Sequence, residues 1–308
     1  MAHIAVSTRF HDLIDIDAPV ERIATGFDFT EGPVWHPVEG HLTFSDIPGN
    51  VRRRWSPKNG VTEIARPANM GNGMTYDADL NLIVCEHMTS TVARISPDGE
   101  RTVLCSHFEG RELNSPNDVV VSKNGTIYFT DPTYGRHERF GVVRPKFMGF
   151  QAVFMLPPGH KPGDEPLLAS ERDVFTQPNG LTFSPCEKWM WVNDSDQAFI
   201  RKYEVADNGR LINGKMFASG LNEETRAGIP DGMKSDCEGN LYVTSPGGVW
   251  VYDFGGEKLG EIIVPEQTAN FHWGGEDWDN LYFTANTSLY AMTTKSRPHR
   301  EPFMDASA

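Results

Sequence analysis

The chain has 308 residues, of which 39% are hydrophobic and 23% are charged, a composition that excludes an intrinsically disordered protein. Its 42 acidic residues outnumber the 28 basic ones, and the formal net charge of −14 argues against nucleic-acid binding, which needs a basic surface. No apolar run is long enough to span a membrane, the first residues do not resemble a secretion signal, and the four cysteines are scattered singly. We therefore expect a cytoplasmic protein with free thiols and with neither nucleic-acid nor membrane partners.

One sequence pattern recurs along the chain at intervals of roughly 40 to 60 residues. Each unit starts with a polar residue, usually followed by glycine and an apolar residue, and a β-rich run follows about ten residues later. The six units begin near Glu31, Asn72, Asn117, Asn179, Asp231 and Phe271, the last being degenerate. This period predicts one repeat domain covering residues 1–308.

Within each unit we predict four strands, named A to D from the inside outward. In the third unit they are Asp118–Ser122, Thr126–Thr130, Ala152–Leu156 and Pro166–Ser170. The sixth unit stops after strand C, near Met292, while an unassigned strand at 21–25 precedes the first unit. Pairing these two would remove an exposed sheet edge. The sequence therefore predicts an all-β fold, a six-bladed β-propeller closed by an N-terminal outer strand.

The residues that lead strand A are the main functional candidates, because strand A of every propeller blade lines the central channel. Five of the six units place Glu31, Asn72, Asn117, Asn179 and Asp231 there. These residue types are poor strand formers that carry side-chain oxygen, and a ring of hard oxygen ligands suits Ca²⁺ or Mg²⁺ better than zinc or copper. Asn-Gly and Asp-Gly also favour hairpin turns, but the register shared by all five residues favours a metal site.

Four acids follow strand B in successive units, at the same mouth of the channel: Asp46, Glu86, Asp131 and Asp194. They could bind substrate hydroxyls, hold a second ion, or cap their own loops. We take Asp131 as a substrate-binding candidate. The long loop after strand B of the third unit, residues 132–150, adds Tyr134 and Arg136, although a merely solvated loop is equally compatible with its sequence. Among the histidines, His87 and His272 are candidates for the mouth.

Four motifs in order resemble the senescence-marker-protein, gluconolactonase and regucalcin-like family, and the resemblance extends over residues 21–292. They are FTEGPVW (29–35), SPND (115–118), QPNGL (177–181) and PDGM (230–233). The bacterial gluconolactonase branch is the most similar. The resemblance implies an axial metal ion bound by Glu31, Asn117, Asn179 and Asp231, with Asp231 as the candidate catalytic base. Animal members carry an arginine where this chain has Ser115, so their substrate contacts do not carry over.

These observations predict a metal-dependent hydrolase that opens a sugar lactone of the gluconolactone type to its aldonic acid. Ca²⁺ is the expected ion, with Zn²⁺, Mn²⁺ and Mg²⁺ as alternatives, and Asp231 would activate water. Asn72, Asp131, Tyr134, Arg136 and His272 would bind the substrate. A propeller that hydrolyses organophosphates or other esters and a non-catalytic Ca²⁺-binding propeller remain the alternative hypotheses.

Overall fold

Six antiparallel sheets form the blades of a ring in the computed structural model, which describes residues 2–306. This confirms the predicted six-bladed β-propeller. In blade one, strands A to D are Thr30–His36, His41–Asp46, Val51–Ser56 and Gly60–Ala65. In blade two they are Gly71–Tyr76, Leu82–Glu86, Thr91–Ile95 and Arg101–Cys105. In blade three they are Val119–Val121, Ile127–Thr130, Val153–Leu156 and Leu167–Leu168. In blade four they are Pro178–Phe183, Trp189–Asp194, Phe199–Val205 and Leu211–Ser219. In blade five they are Met233–Ser235, Leu241–Ser245, Gly248–Tyr252 and Lys258–Ile263. In blade six they are Thr268–Gly274, Asn280–Ala285, Ser288–Thr293 and, from the N-terminal part of the chain, Glu21–Thr25.

The N-terminal strand closes the ring. Glu21–Thr25 pairs antiparallel with Ser288–Thr293, and the register places Glu21 opposite Ala291 and Thr25 opposite Ser288. The last blade therefore receives its outer strand from the beginning of the chain, as predicted. The first and last blades become covalently adjacent, so the ring cannot open without breaking this ladder.

Blade six corrects one expectation about register. Phe271 does not lead strand A but lies inside it, where it pairs with Phe283 as Met233 pairs with Val243 in blade five. Twelve positions separate Phe271 from Phe283, against ten between Met233 and Val243, so the hairpin of strands A and B is longer in blade six. The ten-residue spacing shared with other units was therefore misleading there.

The segment before the closing strand packs on blade five. Ile4–Ala5 adds a fifth strand beside Lys258–Ile263, and the short helix Phe10–Leu13 buries Phe10 completely. Gly260 makes this contact possible, because a Cβ atom there would lie 2.5 Å from the Phe10 ring. Two other short elements are the ribbon His107–Phe108 with Arg111–Glu112 and the 3₁₀ turn Tyr134–Arg136. No helix within residues 2–306 is long and apolar enough to cross a bilayer.

The C-terminal segment covers one end of the channel, the end opposite the residues that lead strand A. Cys237 donates its backbone N–H to the Arg297 carbonyl at 2.9 Å, which fixes the segment to blade five. The 3₁₀ turn Pro302–Asp305 then buries Phe303 against Tyr76 and His272. The sequence pattern did not predict this covering segment, since it has no repeat counterpart.

Removing residues 1–25 should lower the melting temperature sharply, because the ladder to Ser288–Thr293 is lost and that strand becomes an exposed edge. Thermal unfolding followed by circular dichroism measures the change. Removing only residues 1–7 is the matched control, since it deletes the extra strand of blade five and keeps the ring closed. Equal losses in the two truncated proteins would contradict the closing role of residues 21–25.

Candidate functional site

The structure brings all five predicted leading residues to one cavity on the propeller axis. Glu31, Asn72, Asn117, Asn179 and Asp231 come from five different blades and line a cavity of about 230 Å³. Glu31 and the three asparagines are buried, while Asp231 keeps partial exposure toward the cavity. Each side chain enters from the start of its strand A, where four of the blades show a β-bulge or register shift.

The glycines that follow these residues serve close packing between blades, not hairpin turns. A Cβ atom on Gly32 would lie 2.0 Å from the Asn72 carbonyl oxygen, and one on Gly180 would lie 2.0 Å from the Asp231 carbonyl oxygen. Neighbouring strands A can therefore approach one another only because these positions lack a side chain. The same close approach holds their leading side chains within one small cavity.

A chain of hydrogen bonds fixes how the three amides point. Ser195 donates its hydroxyl to the Pro230 carbonyl at 2.6 Å, so its oxygen accepts from Asn179 Nδ2 at 3.0 Å. Asn179 Oδ1 then accepts from Asn117 Nδ2 at 2.6 Å, and Asn117 Oδ1 accepts from Asn72 Nδ2 at 2.5 Å. Asn179 Oδ1 retains a second lone pair, which is available to a ligand in the cavity, whereas Asn117 Oδ1 also lies 3.1 Å from His87 Nε2.

The acids after strand B hold the backbone that carries the leading residues. Asp46 accepts N–H bonds from residues 28 and 29, Asp131 from residues 114 and 115, and Asp194 from residues 176 and 177. In each case the donors lie three and two positions before the leading residue of the same blade. Glu86 does the same through the side chain of Asn69, three positions before Asn72. Asp131, predicted to bind substrate, is completely buried in this role and does not line the cavity.

Two carboxyl groups meet at the axis with little to compensate their charge. The pKa of Glu31 is raised to about 7, mainly by burial. The Gly32 N–H lowers this pKa, and the nearby Asp118 carboxyl raises it. The pKa of Asp231 is raised well above its ordinary value, first by desolvation and then by the charges of Glu31 and Asp118. Lys234 is the basic side chain that lowers the pKa of Glu31 and of Asp118.

The donor set fits a hard divalent cation. Gly32 N–H and Asn270 Nδ2 both donate to Glu31 Oε2, whereas Glu31 Oε1 makes no hydrogen bond among residues 2–306. Two carboxylates would balance a divalent charge, and the free lone pairs of the amides would add neutral oxygen ligands. Within the same residues, no group of three or more His, Cys, Asp or Glu side chains could hold a metal ion, so amide oxygens are essential to this set.

The loop of residues 132–150 roofs the cavity. Phe140 contacts Phe29 edge to face at 5.2 Å between ring centroids, and the Arg139 guanidinium lies over both rings. Tyr134 lines the cavity with a buried hydroxyl that has no hydrogen-bond partner within residues 2–306, and burial raises the pKa of this phenol, so it remains a donor. Ser115 anchors the loop by donating to the Pro132 carbonyl and accepting from Gly135 N–H.

Two other predicted substrate residues lie outside the cavity. Arg136 points beneath the loop, where its buried guanidinium pairs with Glu112 at 3.2 Å and donates to the Leu113 carbonyl. His272 lies farther along the channel, with Nε2 3.5 Å from the Glu301 carboxylate of the covering C-terminal segment. Neither side chain contributes to the cavity lining, because each already has a partner inside the protein.

His87, one of the two histidines that were candidates for the mouth, lines the cavity. Its Nδ1 donates to the Phe140 carbonyl at 2.9 Å, so Nε2 is the accepting nitrogen and lies 3.3 Å from Asn72 Nδ2. Burial lowers its pKa to about 4, which keeps the ring neutral. Its sequence position indicates this placement, because a residue directly after strand B of blade two lies at the same end of the channel as the residues that lead strand A.

The fold and this site define a six-bladed propeller with an axial acid–amide pocket. The family model described as the SMP-30/gluconolactonase/LRE-like region matches residues 29–287. The chain belongs to that family.

Three relatives illustrate the similarity. A gluconolactonase from Zymomonas mobilis is 33% identical over 94% of this chain and 85% of its own length. A pentonolactonase from Haloferax volcanii is 25% identical over 82% of this chain and 80% of its own length. The structure of a gluconolactonase from Xanthomonas campestris superposes with a TM-score of 0.87 at 28% identity, covering 96% of this chain and 95% of that one.

In the cation-free protein, stability should fall as the pH rises from about 4.5 to about 7, because Glu31 is protonated more readily in the folded chain than in the unfolded one. A raised carboxyl pKa contributes stability at low pH and loses it as the group ionises. Melting temperatures measured in chelator across this range test the prediction. Glu31→Gln is the matched variant and should show a shallower fall. An identical pH profile for the two proteins would contradict the assignment.

Proposed function

We propose that this protein is a metal-dependent lactonase that hydrolyses a sugar lactone of the gluconolactone type to its aldonic acid. The observation that carries the proposal is the convergence of Glu31, Asn117, Asn179 and Asp231 on one small cavity beneath a roofing loop. The gluconolactonase and pentonolactonase relatives support the same substrate class.

The size and lining of the cavity favour a single polar ring. A volume of about 230 Å³ is below the roughly 300 Å³ at which pockets for drug-sized ligands begin. Amide, phenol and imidazole groups on its walls can exchange hydrogen bonds with ring hydroxyls, while Phe29 and Phe140 provide an apolar surface for the C–H faces of a sugar. A sugar lactone has both kinds of surface.

A divalent cation fits the cavity, and Ca²⁺ best matches its all-oxygen donors. Glu31, Asn117, Asn179 and Asp231 would hold it. When bound, such a cation supplies a Lewis acid that polarises a carbonyl oxygen and stabilises negative charge developing on it. Its positive charge would also keep Glu31 and Asp231 ionised at neutral pH, against the burial that raises their pKa in the cation-free protein.

Asp231 is the group best placed to take a proton from the attacking water. It is the one carboxyl of the leading ring that keeps exposure to the cavity, whereas Glu31 is buried and already accepts two protein N–H groups. The Asp231 backbone is held from both sides, since its N–H donates to Thr244 Oγ1 at 3.0 Å and its carbonyl accepts from Asn193 Nδ2 at 2.6 Å. A base fixed in this way loses little orientational freedom during the reaction.

Three neutral side chains would orient the substrate. The unpartnered Tyr134 hydroxyl can donate to a ring oxygen. His87 stays neutral, so the substrate meets an uncharged imidazole there, and Asn72 lies beside it. The loop that carries Tyr134 excludes water from above, which strengthens each of these hydrogen bonds.

Hydrolysis of a panel of aldonolactones, with and without a chelator, tests the proposed function. We expect turnover of five- and six-carbon sugar lactones, loss of that turnover in chelator, and recovery on adding Ca²⁺ because Glu31 and Asp231 regain their counter-ion. Hydrolysis of organophosphates in place of lactones would reassign the substrate. Full lactonase activity in metal-stripped protein would contradict the metal-dependent reaction.

Asp231→Asn separates the base from the ligand, because it keeps a side-chain oxygen and removes the proton acceptor. We expect its kcat to fall by about 10²-fold or more and to stay low at saturating cation. Asn117→Asp is the matched variant: it also exchanges an amide and a carboxylate at the cavity, but it should bind the cation at least as tightly. Turnover measured against cation concentration distinguishes the two. Recovery of Asp231→Asn by excess cation would leave Asp231 as a ligand only.

A further inference from the structure

A second cavity, of about 330 Å³, lies between blades one and two and shares no lining residue with the axial cavity. Strand C of blade one, Val51–Ser56, forms one of its walls. Side chains alternate along a strand, so Arg52 and Arg54 face this cavity while Arg53 faces the other side of the sheet. Arg101 enters from strand D of blade two. Three guanidinium groups thus line one cavity in a protein whose net charge is −14.

Two of these arginines have carboxylate partners. Arg101 forms a two-point pair with Glu86, with Nε at 2.8 Å and Nη2 at 2.6 Å from its oxygens. Arg54 lies 3.1 Å from Glu39, which also contacts His41. Both acids are therefore engaged, and Glu86 accepts further hydrogen bonds from Asn69, Thr89 and Thr91.

Arg52 is the exception. It is only 6% exposed, its Nε is buried without a hydrogen-bond partner, and no carboxylate among residues 2–306 forms a salt bridge with it. A guanidinium stays protonated in proteins, so Arg52 is a buried positive charge on the wall of this cavity. Such a charge is costly unless a counter-charge approaches it. The carboxylate of Glu86 attracts Arg52 from a distance, but no acid within residues 2–306 forms a salt bridge with it.

We propose that the cavity between blades one and two is a binding site for a small anionic metabolite, whose phosphate or carboxylate group pairs with Arg52. The planar guanidinium fork matches two oxygens of either group. Arg54 and Arg101 stay bound to Glu39 and Glu86, which also line the cavity, so Arg52 carries the one positive charge of the lining that has no paired acid in the described part of the chain. The bounded volume admits a molecule the size of a sugar acid or a sugar phosphate and excludes a polymer.

Thermal shift and titration calorimetry on the metal-containing protein test this site, with inorganic phosphate in one arm and gluconate in the other. At least one anion should raise the melting temperature by a few °C when its concentration is about 100 times Kd. Binding to phosphate alone or to gluconate alone identifies the phosphate or the carboxylate as the recognised group. Arg52→Met keeps the length of the side chain and removes its charge, so it should weaken binding about tenfold or more.

Arg53→Met is the matched control, because it removes the same charge one residue away on the opposite face of the strand and should keep the anion-induced shift. In anion-free buffer, Arg52→Met should be at least as stable as the original protein, since it removes an uncompensated buried charge. Absence of binding by both anions, or equal binding to the Arg52→Met protein, overturns the proposal. So does a clear loss of stability of Arg52→Met in anion-free buffer, because Arg52 would then be compensated within the protein itself.

Discussion

The close approach of neighbouring strands A around the axis is the constraint on which the site depends. Backbone from one blade lies so near the next that a Cβ atom at Gly32 or Gly180 would overlap a carbonyl oxygen. Packing this tight brings the leading side chains of five blades into one small cavity, although they are far apart in the chain. Two acids and three amides then share a space that desolvates them, and this sharing raises the pKa of Glu31 and Asp231. A pocket of acids and amides is the chemical result of ring geometry.

The acids after strand B show how the same repeat orients the site. Asp46, Asp131 and Asp194 each accept backbone N–H groups from the two residues that lie just before their own blade's leading position. Asp46 and Asp194 each accept both N–H groups on one carboxylate oxygen, whereas Asp131 uses one oxygen for each. These acids position the amide and carboxyl groups of the cavity without touching it. The three acids occupy the same position in their repeat units, which is visible in the sequence. The direction in which each side chain points depends on contacts that a repeat pattern does not show.

The fold and the axial ring could be predicted from sequence because both are periodic. A residue that recurs at the start of every unit must occupy equivalent places in a closed ring, and that reasoning located Glu31, Asn72, Asn117, Asn179 and Asp231 together. It failed where a side chain's partner is not periodic. Arg136 pairs with Glu112, and His272 pairs with Glu301, which lies in the C-terminal segment that has no repeat counterpart. The longer hairpin of strands A and B in blade six displaced the register of Phe271 for the same reason. The unpaired state of Arg52 could not be foreseen either, since it depends on Glu86 being engaged by Arg101 of its own blade.

The C-terminal segment also determines from which end of the channel a small molecule can reach the axial cavity. Glu301 and Phe303 are buried across its far end, beside Thr75 and His272, so the axial cavity opens to solvent on one side only. Anything that enters must leave by the same opening, under a roof formed by residues 132–150. In the proposed reaction, a second substrate molecule could therefore reach the axial cavity only after the first product had left through this one opening.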